Sequence, residues 1–253
     1  MNRRDFLSYA ARGVALGLTL STPMVSSGDA GARIKAVAFD AFPVFDPRPI
    51  FRLAGSLFPE KGEELAKVWF AKIFGYTWLR TLGGQYQDFG KTTAGALEFA
   101  ARSTGAALTP EARRELLSAW TKLKAWPDVE PALEELQVRG IRMCFLSNMS
   151  EEMLRTNARN AGIENAFEHF LSTDRVRAFK PDPRAYQMGV DVLELPPENI
   201  AFAAFAGWDA AGASWFGYPT VWVNRLGSPA EELGDRPAAT GRDMTSLLKL
   251  VGR

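Results

Sequence analysis

One histidine, His169, and one cysteine, Cys144, are all that 253 residues offer of either type. Histidine-based zinc sites and Ser-His-Asp triads therefore lack their parts, and no disulfide can close within the chain. Both residues sit in apolar sequence and read as core residues without a catalytic duty. Chemistry falls to carboxylates, lysines, hydroxyls and amides, which act as nucleophiles, proton carriers or hydrogen-bond donors. Four positions that end or follow apolar runs carry such groups. Asp40 follows Ile34–Phe39, and Ser147-Asn148 follows Ile141–Leu146. Lys180 lies in the loop Phe179-Lys180-Pro181-Asp182, and Asp209 lies just beyond Ile200–Ala206.

Those runs, with Thr220–Val223, are short, apolar and β-rich, as buried parallel strands are. Helical patterns over Glu130–Arg139, Glu151–Ala161, Arg184–Leu193 and Asp209–Phe216 alternate with them. The alternation predicts right-handed crossovers and a doubly wound parallel α/β sheet. Residues 46–127 interrupt it with helical signals alone. Leu65, Val68, Trp69 and Ile73 recur at helical spacing, and Thr109-Pro110-Glu111 reads as a cap, a first-turn proline and an early acid. That helix is expected to run to Trp120. The expected organisation is an α/β core of residues 33–45 and 128–253 with an inserted helical cap, 46–127. Ligands of such sheets sit at the carboxyl ends of the strands, here between core and cap.

Residues 1–32 read as an address. Arg3-Arg4 precede Phe6-Leu7, a weakly apolar stretch and small residues, the order of a twin-arginine export signal cleaved near Ala32. The expected location is the periplasm, with the export machinery as a partner. The chain holds 30 Lys and Arg against 29 Asp and Glu; residues 1–32 contain three Arg and two Asp, leaving 27 of each sign. That balance argues against a nucleic-acid partner. Beyond the N-terminus no apolar run of spanning length occurs, which excludes a multi-span membrane protein.

An aspartate after the first strand, a serine after the second, a lysine in a K-P-D loop and a final acid resemble the haloacid dehalogenase superfamily. Tyr76-Thr77-Trp78-Leu79-Arg80, Leu146-Ser147-Asn148, Phe179-Lys180-Pro181-Asp182 and Trp208-Asp209-Ala210 are similar to type II (S)-2-haloacid dehalogenases. Phe216–Thr220 and Trp222–Arg225 continue the likeness. The resemblance implies a Rossmann-like core and a hydrolase that replaces the halide of a small 2-haloalkanoic acid by hydroxyl. Asp40 would be the nucleophile that forms an ester, Lys180 its counter-ion, and Asp209 the support for Lys180 and the hydrolytic water. Ser147 and Asn148 would bind the substrate carboxylate, Tyr186 would bond on the Lys180 side, and Phe89 and Trp208 would line a halide pocket. No metal or other cofactor is implied, and a homodimer is.

Four polar positions of the family pattern are apolar here. Pro43-Val44 replaces Gly-Thr, Phe70 replaces an arginine, and Ala204 and Ala206 replace a hydroxyl and an amide. These predict a retained nucleophilic site in a drier pocket, with an altered substrate preference or low turnover. They also leave a second reading open, a protein that keeps the fold and binds without turnover. A phosphatase of the superfamily would need a second aspartate two residues after the nucleophile, where this chain has Phe42.

Overall fold

β1 (Ala36–Phe39) is four apolar residues with no exposure, the composition of a strand covered on both faces. The computed structural model describes residues 33–234 and 236–252; the expected export segment 1–32 lies outside the described residues. After β1 come α1 (Ala41–Val44) and β2 (Phe45–Asp46). Then follow α2 (Arg48–Leu57), α3 (Gly62–Leu82), α4 (Phe89–Thr104) and α5 (Pro110–Ser118), before β3 (Lys124–Ala125). The remaining elements are α6 (Val129–Val138), β4 (Arg142–Ser147), α7 (Glu151–Asn160), β5 (His169–Ser172), α8 (Pro183–Leu193) and β6 (Ile200–Ala204). The order ends with α9 (Gly207–Phe216), β7 (Thr220–Val223), β8 (Ala239–Gly241) and α10 (Thr245–Val251).

Six strands form one sheet in the order β5-β4-β1-β6-β7-β8, every neighbouring pair parallel. The chain winds outward from β1 to one edge, returns, and winds to the other through β6. This is the doubly wound arrangement, and its switch point lies beside β1. Phe39 pairs with Phe145 of β4 and Ala203 of β6, so the chain after β1 emerges between those two neighbours. Asp40 is the first residue past that point.

The helices between β2 and β3 follow from local signals. Thr109 caps α5, its Oγ1 accepting from Ala112 N at 3.2 Å, as the Thr-Pro-Glu order predicts. Asp88 caps α4 in the same way by accepting from Lys91 N at 2.8 Å, and Gly105, at φ +67°, ends it. On α3, Leu65, Trp69 and Ile73 turn to the core, Trp69 donating its indole N–H to Thr93 O at 2.9 Å. The antiparallel pair β2–β3 carries the chain into and out of this insertion.

Several expectations change. The run Ile200–Ala206 ends as a strand at Ala204, and Ala206 instead caps α9. α5 stops at Ser118 and a 3-10 turn covers Ala119–Thr121. β5 and β8 carry no strong apolar run because each is a short strand at a sheet edge. His169 begins β5 with its side chain 37% exposed beside Glu168, so it is not a core residue. Cys144 is fully buried in β4, and burial pushes its thiol up to about 12.

Candidate active site

The ends of β1 and β4, the loop before α8 and the first turn of α9 meet around Lys180. The Lys180 ammonium donates to Asp40 Oδ1 at 2.8 Å and to Asp209 Oδ2 at 2.6 Å. Side-chain exposures of 1% for Lys180, 12% for Asp40 and 2% for Asp209 make this a buried network. Asp209 does not cap its helix; it turns inward from the first turn of α9. Its other oxygen, Oδ1, accepts from the Tyr186 hydroxyl at 2.8 Å. Tyr186, fully buried on α8, does not line the cavity described below; it stands behind Asp209 and fixes that carboxylate.

The two oxygens of Asp40 are held unequally. Oδ1 accepts from Lys180 and, at 3.2 Å, from the Ser147 hydroxyl, whereas Oδ2 accepts only from Phe42 N at 3.2 Å. Asn148 uses its side-chain carbonyl to accept from Lys180 N at 2.9 Å, which anchors the lysine loop. Its buried Nδ2 has no protein partner, a donor left over for something that enters the site.

Burial pushes the Asp209 carboxyl up to about 6, against the pull of Lys180, which keeps it from rising further. For Lys180 burial opposes the charge, but the carboxylates of Asp209 and Asp40 outweigh it and raise the ammonium above the usual lysine range. Tyr186 stays a neutral hydroxyl, raised well above the ordinary phenol range by burial and then by the Asp209 charge. Near neutral pH the site thus holds a protonated lysine beside a carboxylate that titrates within reach of that pH.

Above the network lies a cavity of about 220 Å³. Asp40, Ser147, Asn148, Lys180 and Asp209 form one end of it. Most of the remaining wall is aromatic: Phe51 of α2, Phe70 and Phe74 of α3, Phe89 of α4, with Phe42, Phe205 and Trp208 from the sheet side. Phe89 and Trp208 therefore face the same space as Asp40. Phe70 stacks on Phe51 at 4.2 Å and on Trp120 at 5.5 Å, and Phe74 meets Trp208 at 5.4 Å. The wall rings thus brace one another, and Trp120 backs Phe70 from outside the cavity.

A family model of the haloacid dehalogenase-like hydrolases matches residues 34–217, which contain every group of this network. The chain belongs to that family. It is 37% identical over 219 residues to the (S)-2-haloacid dehalogenase of Pseudomonas sp. (strain YL), covering 86% of this chain and 93% of the relative. A solved L-2-haloacid dehalogenase superposes with a TM-score of 0.85 at 38% identity, over 87% of this chain and all of that one. The L-2-haloacid dehalogenase of Xanthobacter autotrophicus with chloropropionic acid covalently bound gives 0.79 at 29% identity, over 87% of this chain and 98% of that one.

Within the haloacid dehalogenase-like frame, the four departures separate into two kinds. Phe70 and Ala206 line the cavity. Val44 and Ala204 do not; both are fully buried in hydrophobic clusters. Two apolar replacements, not four, therefore face the space where a substrate of this dehalogenase-like chain would lie. Phe51, Phe74 and Leu226 also line it, and sequence reasoning missed them. One signal was available, since Phe70 and Phe74 are four apart and share a helix face. Arg225 was likewise given no role. It donates to Pro43 O at 2.6 Å and to Asp128 Oδ1 at 2.6 Å, bracing the backbone just after Asp40.

Proposed function

We propose that this protein hydrolyses the carbon–halogen bond of a small 2-haloalkanoic acid through an ester on Asp40. The observation that carries the reading is the unequal bonding of the Asp40 carboxylate. Lys180 and Ser147 hold Oδ1, and Oδ2, with a single long bond from Phe42 N, is the oxygen available to attack. Oδ2 forms a bond to the halogen-bearing carbon as the carbon–halogen bond breaks, and halide leaves with the electron pair. Water then adds to the Asp40 carboxyl carbon of the ester while its proton passes to Asp209, whose value near 6 suits a base at neutral pH. The bond from that carbon to the alkyl oxygen breaks, releasing a 2-hydroxy acid and restoring Asp40. One water is consumed, and one halide and one proton are released. The unpartnered Asn148 amide supplies a donor for the substrate carboxylate.

Incubation with (S)-2-chloropropionate should release chloride from the wild type and none from Asp40→Asn. Mass spectrometry of a digest of the quenched wild type should find an adduct on the Asp40 peptide. Ligand-induced thermal stabilisation with neither chloride nor adduct would establish the binding-only reading instead. The residue two beyond Asp40 is Phe42, packed on Phe205 at 5.5 Å, which leaves a phosphatase without its second acid.

The Arg3-Arg4 segment supports export by the twin-arginine route to the periplasm, with cleavage near Ala32; amino-terminal sequencing of the periplasmic form tests it. Exposed Trp78, Leu79 and Leu82 at the end of α3 support a homodimer, which sedimentation would detect.

A further inference from the structure

The cavity is divided by chemistry. Its hydrogen-bonding groups cluster at the strand ends, and the space facing them is walled by rings that no polar group interrupts on the side of α2 and α3. A small haloacid engages the polar end and leaves those rings facing void or trapped water. Neither is favourable, since a gap forfeits dispersion contacts and an apolar wall gives water nothing to bond. An apolar cavity of about 150 Å³ already accommodates benzene, and this one is about 220 Å³. Its walls are also pre-formed, because Phe51, Phe70 and Trp120 stack in series and Phe74 and Trp78 both hold Trp208.

We propose that the cavity selects a 2-haloalkanoic acid whose second carbon carries an aryl-sized apolar group. That group seats against Phe51, Phe70, Phe74 and Trp208 while the halogen-bearing carbon faces Asp40. The inference rests on the reading of Asp40 as nucleophile and names the class of substrate the nucleophile meets. Aromatic walls favour a ring because offset and edge-to-face contacts add to simple burial. Each buried methylene is worth about a fourfold gain in affinity, so a phenyl group in place of hydrogen should gain well over tenfold.

The test separates binding from turnover. Calorimetry with 3-phenylpropionate and propionate, neither of which can react, should give at least about tenfold tighter binding of the phenyl acid. Ala206→Leu, which fills the cavity wall, should remove most of that difference, whereas adherence to the outer surface would leave it intact. Equal affinities in the wild type, or a preference that survives Ala206→Leu, would overturn the proposal. Turnover of (S)-2-chloro-3-phenylpropionate and (S)-2-chloropropionate is measured alongside. An Asp40 adduct from both with no preference for the phenyl acid in kcat/KM overturns the substrate class alone. Absence of any adduct or chloride from either overturns the nucleophile reading, and the substrate class with it.

Discussion

Lys180→Met removes a buried ammonium from between two carboxylates. The lysine lies 2.8 Å from Asp40 and 2.6 Å from Asp209, and its side chain is 1% exposed, so the methionine fills its place and leaves both carboxylates without their cation. Breaking a buried ion pair from one side costs about 3–5 kcal/mol, because the remaining charge is left unpaired in a poor solvent. For a chain of this size that is a fall in Tm of roughly 6–20 °C. The loss should depend on pH, and its sign is fixed. Asp209 already titrates near 6 in the fold, against about 3.8 ordinarily, and only Lys180 and Tyr186 keep it from going higher. Without the ammonium it rises further, so the folded variant takes up a proton that the unfolded chain releases. A raised carboxyl favours the folded state below its unfolded value and ceases to do so as pH rises through its folded value. The destabilisation should therefore be full at pH 8 and smaller at pH 5. Urea unfolding of wild type and variant at both values, followed by tryptophan fluorescence, measures the difference directly. Adding Asp209→Asn to the variant should return about 1 kcal/mol or more at pH 8, the signature of two coupled sites. A loss below about 1 kcal/mol at pH 8, or the same loss at pH 5, would refute the argument.

Tyr186→Phe deletes the donor to Asp209 Oδ1 and leaves that oxygen unsatisfied, for a loss of about 1–3 kcal/mol. Because the bond lowers the Asp209 value, the acid limb of the kcat/KM profile should also move to higher pH; an unmoved limb contradicts the link. In the wild type that limb should lie near pH 6, activity falling about tenfold per unit below it, as rates measured between pH 4.5 and 8 would show. Gly212→Ala places a Cβ 2.6 Å from the Tyr186 hydroxyl oxygen and 2.7 Å from Pro181 Cβ, so about 1–3 kcal/mol of stability should go, with activity, in urea and halide assays. Thr109→Ala, remote from the cavity, should cost about 1 kcal/mol through its lost cap and leave kcat alone.

What the sequence disclosed follows from what each signal measures. β1 and β4 were legible because strands buried on both faces are continuous apolar runs, and α5 because its cap is a local hydrogen bond written in three consecutive residues. β5 escaped because an edge strand of four residues with a half-exposed His169 carries neither pattern. The reactive groups were legible too, since a doubly wound sheet delivers strand ends to one rim. Depth was not. The resemblance implies Tyr186 as a binding group on the Lys180 side, yet it stands one layer behind Asp209, and Val44 and Ala204 are core residues rather than cavity wall. The distinction depends on how far a side chain reaches in three dimensions, which periodicity does not encode. Phe51, Phe74 and Leu226 converge on the cavity from three distant pieces of chain, and no short-range signal joins them.

The pairing of β2 with β3 has an outcome for how such a protein changes over generations. The chain leaves the sheet at Phe45–Asp46 and returns at Lys124–Ala125, two short strands bonded to each other, so everything between them is one contiguous excursion tied at its base. Asp40, Ser147, Lys180 and Asp209 are encoded outside that excursion, whereas Phe51, Phe70, Phe74 and Phe89 are encoded within it. The reacting groups and four of the cavity's seven rings are thus inherited on separate stretches of gene, Phe42, Phe205 and Trp208 staying with the core. Recombination or drift in the enclosed stretch can retune what enters without touching the residues that react.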